Sequence, residues 1–397
     1  MTTQIHQYDI CIVGNGAVGK TAALGFVQAG LKVALLCQSA AVAPVSEHWD
    51  VRVFALNHVA HDVLASLKVW DALDASRVAP VTEMRVKGGL AADAGQIGFD
   101  AYGARIDELA WIVEDKNLGQ ALDTAIRFAQ NLSLVTGVAT ALQQKEDGVS
   151  LTLADGSELH AGLIIGADGA QSWVRGQCDI GLSYRSYGQK GVVCNFECEK
   201  PHFGIAHQWF VEEQGIIALL PLPGNRVSLV WSAPDELAAQ LMREPLSALT
   251  DRLAKYCSEI LGQLTPVLPE EIKAFPLNLI RPHSMIAQRV ALIGDAAHVV
   301  HPLAGHGMNL GFGDVAALLD IVKNREDHRD CGDARVLERY SRARKEEVML
   351  MQLTTDGLAR LFGSDLAPVR LIRNAGLNLL DRFPVIKSKL ISHAMGR

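Results

Sequence analysis

A glycine-rich turn near the start of the chain most narrows the folds that this sequence can adopt. The turn from Gly14 to Gly19 reads G-x-G-x-x-G; it follows the apolar run Ile10–Val13 and precedes Lys20–Ala29, whose apolar residues have helical spacing. Glycines at these positions permit a tight turn, close approach of a pyrophosphate to the backbone, and close packing of helix on strand. The pattern therefore predicts a strand–turn–helix unit that binds a dinucleotide.

The segment that follows completes this unit as β-α-β. Gly30 ends the helix, and the apolar run Lys32–Cys37 supplies a second buried strand, which is typical of a parallel sheet covered by helices. An acidic residue usually ends this strand and binds a ribose, but here Cys37 stands in its place with Gln38 beside it. Gln38 is the candidate ribose contact, and its neutral amide gives a weaker hydrogen bond than a carboxylate.

Composition excludes several classes of protein. The chain has 397 residues, 49% of them hydrophobic, which is enough for two or three domains, and its net charge of −7 argues against a nucleic-acid binder. We find neither an apolar run of 18 residues nor a signal peptide, and therefore expect a cytoplasmic protein. The seven cysteines are scattered. Cys194 and Cys198 form C-x-x-x-C with no further ligand at zinc spacing, so we predict reduced thiols and no metal site.

Later segments indicate a mixed α/β fold: a Rossmann-like nucleotide-binding domain interleaved with an antiparallel-sheet substrate domain. Residues 208–211, 216–220 and 226–231 look like antiparallel strands, and Arg289–Ile293 restores the buried parallel-strand pattern. We predict a discontinuous nucleotide-binding domain in residues 1–75, 103–182 and 275–330, a substrate domain in residues 76–102 and 183–274, and a helical C-terminal region in residues 331–397.

Three local predictions concern single elements. A helix containing Leu56, Val59, Val63, Leu64 and Leu67 is expected to follow Arg52. A hairpin turn at Asp155-Gly156 is expected before a short strand, Ser157–His160. Leu163–Ile165 is expected to form another, separate buried strand.

Two further motifs follow predicted buried strands. Gly166-Ala167-Asp168-Gly169 follows one, and Gly294-Asp295 follows another and leads into the stretch from His301 to Gly311. Asp168 alone fits a turn residue, Asp295 alone fits a helix cap, and Arg52 alone fits a surface charge.

Together, and in this order along the chain, the motifs resemble those of the flavoprotein aromatic hydroxylases of the p-hydroxybenzoate hydroxylase type. The likeness is closest to the ubiquinone-biosynthesis branch. It also includes Asp50-x-Arg52-x-x-Ala55-Leu56 and Val113-Glu114, and it covers nearly the whole chain.

The resemblance implies FAD as cofactor and a set of residues that contact it. Arg52 and the 305–309 segment would lie beside the flavin ring, Asp168 near the pyrophosphate, and Asp295 at the ribityl chain. The implied cofactor contacts are Gly14, Gly16, Ala17, Gly19, Gln38, Arg52, Asp168, Gly169, Gly294, Asp295, Pro302, Gly305, Gly307, Met308 and Asn309.

His306 departs from the family, which usually has Gln there. It is either a candidate for proton transfer beside the flavin or a packing substitution. No other catalytic acid or base is assigned. His298 and His301 are family-like, and we expect both to be structural.

The implied reaction is hydroxylation of an electron-rich ring by dioxygen through a flavin C4a-hydroperoxide, which must be shielded from water. The expected substrate is a polyprenylated phenol or quinol of ubiquinone biosynthesis, held against the apolar strands around residues 216–222 and 226–231. Only one glycine fingerprint is present, so either NAD(P)H visits the flavin transiently or a partner protein supplies electrons.

The C-terminal segment from Leu366 to Arg397 carries six basic residues and one acidic residue, with apolar residues near helical spacing. Such a segment can lie on an anionic membrane, which would place the protein at the inner face of that membrane or in a biosynthetic complex there. The alternative is a helix packed on the core with solvated charges.

Three other functions compete with this one. A soluble hydroxylase of small phenols would need a polar anchor for a substrate carboxylate, which the sequence does not reveal. A second alternative is a scaffold subunit that retains flavin and takes part in the assembly of a biosynthetic complex but catalyses no reaction. A flavin-dependent halogenase or reductase of related fold is the third, and the W-x-W-x-I-P pattern of the halogenases is absent.

Overall fold

The computed structural model describes residues 5–38, 49–89, 95–268 and 272–362. Its strands, labelled in chain order, are β1 (Ile5–Val13), β2 (Val33–Cys37), β3 (Val53–Leu56), β4 (Val78–Val81), β5 (Glu83–Lys87), β6 (Gln96–Asp100), β7 (Ala110–Glu114), β8 (Leu132–Thr136), β9 (Ala139–Gln144), β10 (Val149–Leu153), β11 (Glu158–Gly166), β12 (Leu182–Cys198), β13 (Ile205–Val211), β14 (Gly215–Leu222), β15 (Arg226–Pro234), β16 (Leu264–Pro266), β17 (Lys273–Pro282), β18 (Ile286–Ala287) and β19 (Val290–Leu292).

The α-helices in the same ranges are α1 (Ala17–Gln28), α2 (His58–Ser66), α3 (Ala101–Ala104), α4 (Asp115–Phe128), α5 (Trp173–Gln177), α6 (Asp235–Leu241), α7 (Leu246–Leu261), α8 (His306–Lys323) and α9 (Ala334–Phe362). Short 3-10 turns lie at Trp70–Ala72, Ala75–Arg77, Gly294–Ala296 and Leu303–Gly305.

The first sheet confirms the predicted Rossmann-like unit. Its strands run in the order β18-β19-β11-β1-β2-β8, and β19, β11, β1, β2 and β8 are mutually parallel. These strands read as apolar runs because helices such as α1 and α8 cover them. β19 pairs with β11 although more than a hundred residues separate them, so the parallel sheet does resume late in the chain, as expected.

The three local predictions were wrong in part. Leu56 belongs to β3, and the helix begins only at His58, where Asn57 caps it by accepting a hydrogen bond from the backbone N–H of Ala60 at 3.1 Å. The hairpin at Asp155-Gly156 is present, but its second strand begins at Glu158 and runs on through Leu163–Ile165 to Gly166 as one strand, β11. β9 was not predicted. Its alternation is weak because its residues are only half-buried or exposed.

The second sheet is largely antiparallel, in the order β16-β12-β15-β14-β13-β5-β6, with β17 also paired to β12. One face packs on α6 and α7 through a core that includes Trp209, Trp231 and Leu253. The opposite face meets the small sheet β3-β7-β4 and, through Leu303, the turn before α8. The predicted antiparallel strands are thus confirmed, whereas the exact domain boundaries stay a prediction.

A buried carboxylate joins these parts. Glu114, fully buried at the end of β7, accepts hydrogen bonds from the backbone N–H of Asp50 at 2.5 Å and from the Arg77 guanidinium at 2.5 and 2.9 Å. Asn195 of β12 donates to the backbone carbonyl of Asp50 at 2.9 Å. Because buried charges are stable only when paired, this network fixes the segment that carries Arg52.

Candidate flavin and substrate site

The predicted motifs converge at one edge of the first sheet. Because β1, β2, β11 and β19 are parallel, their carboxyl ends lie side by side, and each is followed by a turn that carries predicted site residues. These turns are the glycine fingerprint, Gln38, the Asp168-Gly169 turn and the Gly294-Asp295 turn. Ligands of open α/β sheets bind at this edge.

The fingerprint turn is packed too tightly for side chains at two of its glycines. Gly14 has φ of +112°, and an added Cβ would lie 2.3 Å from the carbonyl oxygen of Ala167. At Gly19 an added Cβ would lie 2.1 Å from the carbonyl oxygen of Gly14. Gly16 is different, since a Cβ there would have no neighbour within 4 Å among the described atoms. The turn therefore leaves open space at Gly16, in front of the uncapped N-terminus of α1, which begins at Ala17.

The turn after β11 is fixed by two polar side chains. One carboxylate oxygen of Asp168 accepts the backbone N–H of Val174 at 3.0 Å, and the other is buried with no hydrogen-bond partner among the described residues. Arg175 was not assigned a role from sequence. Its guanidinium donates to the carbonyls of Ala170 at 2.8 Å and Ala296 at 2.9 Å, and so ties this turn to the one after β19.

The turn after β19 presents Asp295. Gly294 adopts φ of +60°, and the Asp295 side chain is exposed in a recess that protein surrounds on most sides. That surrounding protein raises the pKa of Asp295, while the nearby positive charges of His298 and Arg52 act to lower it. Arg52 itself is about half exposed, lies 3.5 Å from the carboxylate of Asp115, and stacks over Phe54.

Beneath this turn lies a buried charge network that sequence reasoning missed. Asp314 of α8 is fully buried and accepts the backbone N–H of Gly294 at 2.8 Å, His298 Nε2 at 2.7 Å and Arg344 Nε at 2.8 Å. Burial opposes the charge of Asp314, but His298 and Arg344 hold its pKa below the usual range. The signal was available as a lone acidic residue inside the otherwise apolar stretch Leu310–Leu319.

The start of α8 also faces the edge of the sheet. Gly305 caps the helix with φ of +70°, and an added Cβ there would lie 3.0 Å from the Cβ of Ala55, whereas Gly307 faces open space. Asn309 holds β3 in place: its amide accepts the N–H of Asn57 at 3.0 Å and donates to the carbonyl of Ala55 at 2.8 Å. The side-chain amide of Asn309 is thus occupied by hydrogen bonds within the protein. Met308 is partly buried against the hydrophobic core around the first sheet.

His301 is buried one residue before Pro302. Its Nε2 donates to the side-chain oxygen of Gln189 at 3.1 Å, and its ring meets Tyr187 edge-on at 4.8 Å. Burial lowers the pKa of His301 to about 4, so the ring is neutral at pH 7. Tyr187 and Gln189 flank Gly188, at a break in the β12–β17 register that turns both side chains toward the histidine.

Two remaining candidates have different outcomes. Cys37 is buried, with its Sγ 3.5 Å from the carbonyl oxygen of Val135, so Gln38 is the side chain that stays exposed at the end of β2. The side chain of His306 lies outside the described part of the structure, and its predicted role in proton transfer stays a prediction.

One recess lies away from these motifs. Its volume is about 190 Å³, and it is lined by Trp70, Leu73, Ala75, Val78 and Trp111. Trp111 points to the face of β7 opposite Ile112, whose side chain packs toward the second sheet. This recess therefore does not open toward the motifs described above.

We expect Asp314→Asn to destabilise the protein at pH 7 by about 3–5 kcal/mol, because the buried guanidinium of Arg344 would lose its counter-charge. Since the pKa of Asp314 is lowered in the folded state, its contribution is full above the unfolded pKa of about 4 and is lost as the pH falls through the folded value. The difference in the free energy of unfolding between variant and parent should therefore become smaller below about pH 4. Denaturant unfolding between pH 7 and pH 3 measures it. Asp320→Asn, exposed on the same helix, is the control, and equal stability of the two variants would contradict the assignment.

Known proteins match this chain along most of its length. A family model described as the FAD binding domain matches residues 7–353. The chain is 35% identical over 392 residues to the ubiquinone hydroxylase of Rhodospirillum rubrum, covering 98% of this chain and 89% of that protein. It is 34% identical over 392 residues to the 3-demethoxyubiquinol 3-hydroxylase of Escherichia coli strain K12, covering 98% of both.

Solved structures agree on the fold. The p-nitrophenol 4-monooxygenase of Pseudomonas putida DLL-E4 superposes with a TM-score of 0.78 at 17% identity, covering 98% of this chain and 97% of that chain. A Klebsiella pneumoniae protein complexed with FAD and uric acid gives a TM-score of 0.73 at 18% identity, covering 97% of each chain. From the family match and the two relatives, this chain belongs to the FAD-dependent monooxygenases, in the branch of the ubiquinone-biosynthesis hydroxylases.

Proposed function

We propose that this enzyme uses FAD and dioxygen to hydroxylate the aromatic ring of a polyprenylated phenol or quinol in ubiquinone biosynthesis. The observation that carries the proposal is the match, over almost the whole chain, to two hydroxylases named for ubiquinone and demethoxyubiquinol. The apolar face of the second sheet, beside the carboxyl edge of the first, supports a hydrophobic substrate.

The described residues fit FAD. The open space at Gly16 and the free N-terminus of α1 suit a pyrophosphate, and the exposed Gln38 suits the adenosine ribose. Asp168 has a buried oxygen with no partner among the described residues, and Asp295 stands open in its recess. The backbone around Gly307 has room for the edge of a flavin ring. Reduced flavin would carry negative charge, and the positive N-terminal end of α8 would stabilise that charge.

The protein binds and orients the cofactor and the substrate and excludes water, whereas FAD, when bound, supplies the oxygen chemistry. Arg52 adds positive charge beside this edge, and Glu114 holds the Arg52 segment in place. Asn309 of α8 is hydrogen-bonded to Ala55 of β3 and to Asn57, and so holds α8 and β3 at a fixed distance from each other. We propose NAD(P)H or a partner protein as the electron donor.

Gly16→Ala should weaken FAD binding at least tenfold while leaving the fold intact. The added methyl group meets no described protein atom within 4 Å, so it would occupy only the space that we assign to the pyrophosphate. Titration of the apoprotein with FAD measures the affinity, and thermal melting of the apoprotein measures the fold. Gly119→Ala, which also faces open space but on α4, should leave the FAD affinity unchanged and raise the melting temperature slightly, because alanine favours a helix over glycine. Unaltered FAD affinity in the Gly16 variant would place the pyrophosphate elsewhere.

The function itself is tested by the quinone profile of a source strain that lacks this gene, measured by mass spectrometry. We expect a prenylated precursor short of one hydroxyl group to accumulate, and its structure would identify the ring position. Complementation with the intact gene should restore ubiquinone. A normal profile in the deletion strain would refute a non-redundant role in this pathway, and soluble phenols would then be screened with the purified enzyme.

We further propose that the basic C-terminal segment brings the enzyme to a membrane that holds the substrate. This segment lies outside the described residues, and among the residues that the structure describes no helix is long and apolar enough to span a bilayer. Support comes from the charge and apolar spacing of residues 366–397.

Deleting residues 385–397, or reversing charge in Lys387→Glu with Lys389→Glu, should lower binding to anionic liposomes roughly tenfold or more, at about 1 kcal/mol per basic residue. Co-sedimentation with anionic and neutral vesicles measures this. Reversing the exposed Lys200 and Lys255 is the matched control. Binding that survives the deletion unchanged would leave the segment as a helix packed on the core.

A further inference from the structure

A single polar side chain, Gln208, stands in a row of otherwise apolar residues on the second sheet. It lies opposite Ala218 of β14 and beside Val86 of β5, and Ala218 in turn lies opposite Val230 of β15. Because side chains in a row across a sheet point to the same face, Gln208 is the hydrogen-bonding member of this apolar wall.

The face that carries Gln208 is the one that meets the proposed flavin site. Its neighbour Trp209 points the other way, into the core under α7. Phe210, two residues along, packs in a cluster with Leu303, which opens the turn before α8. Ala206, two residues back, packs in a cluster with Ala55 of β3. Gln208 therefore sits between the two contacts that join the second sheet to the flavin side.

Open space lies in front of this part of the wall. Ala218 and Val230 occupy central strands, yet both are only half-buried, whereas their neighbours Ile217 and Leu229 on the opposite face are fully buried. The half-exposed positions next to Gln208 thus line a chamber between the sheet and the start of α8.

The side chain of Gln208 makes no hydrogen bond to the part of the chain that the structure describes. The residue is 6% exposed, yet its amide is not among the fully enclosed polar groups that lack a partner, so the amide reaches the chamber. A ligand that enters the chamber would displace water from this amide, and an oxygen substituent on the ligand would replace the lost hydrogen bonds.

We propose that Gln208 orients the substrate by hydrogen bonding to a neutral oxygen substituent of its aromatic ring. A primary amide offers both a donor and an acceptor, which suits a phenolic hydroxyl. It carries no charge to balance a carboxylate, so the same position disfavours a hydroxybenzoate. This inference rests on the proposed function and extends it, because it names the group that selects a neutral phenol.

The test compares ligand binding to the oxidised, FAD-loaded enzyme, in which no chemistry occurs. The probes are a phenol with a short prenyl chain and its O-methyl ether, and the readout is the perturbation of the flavin absorbance spectrum. The parent should bind the phenol more tightly than the ether. Gln208→Leu should raise the Kd of the phenol roughly five- to tenfold and leave that of the ether nearly unchanged. Gln143→Leu, exposed on β9, is the matched control.

If Gln208→Leu raised the Kd of the phenol and of the ether equally, or raised neither, the role of Gln208 would be overturned. Gln208→Asn, which keeps the amide on a shorter chain, should retain part of the preference for the phenol. A separate assay for hydroxylated product distinguishes the two proposals. A parent enzyme that prefers the phenol but forms no hydroxylated product would refute the proposed function while leaving the role of Gln208 standing.

Discussion

Close backbone packing at the carboxyl edge of the parallel sheet is the constraint on which the rest of the structure depends. Three turns meet there with no room for side chains: Gly14 lies against Ala167, and both Gly294 and Gly311 lie against Val18. At Gly311 an added Cβ would lie 2.7 Å from a methyl carbon of Val18. Such contacts bring the ends of β1, β11 and β19 and the start of α8 together, and they create the surface to which we assign FAD.

Two buried carboxylates hold this edge in register with its surroundings. Asp314 binds the Gly294 turn from below, and Glu114 binds the backbone at Asp50, close to Arg52. Each is fully buried and paired with an arginine, so each depends on a partner that is distant in sequence. The pairs position segments that would carry cofactor contacts, and neither carboxylate itself opens toward the site.

The second sheet supplies the other wall, and its two faces have different tasks. The face with Trp209 builds a core with α6 and α7, whereas the face with Gln208 packs toward the turn before α8, beside the surface to which we assign FAD. A monooxygenase needs a dry, apolar site that still orients its substrate. A wall of apolar side chains with one amide meets both requirements, and its central position between Leu303 and Ala55 follows from strand register alone.

The sequence by itself determined the β-α-β unit, the late return of the parallel sheet, and the family, because glycine spacing and apolar runs are local patterns with one favoured geometry. Only the tertiary structure decided the rest. It placed Leu56 in a strand, because pairing with β7 overrode the helical spacing of its side chain. It showed that the Asn309 amide binds β3 and that Asp314 pairs with Arg344. Such contacts join residues from distant parts of the chain, and no local pattern encodes their meeting.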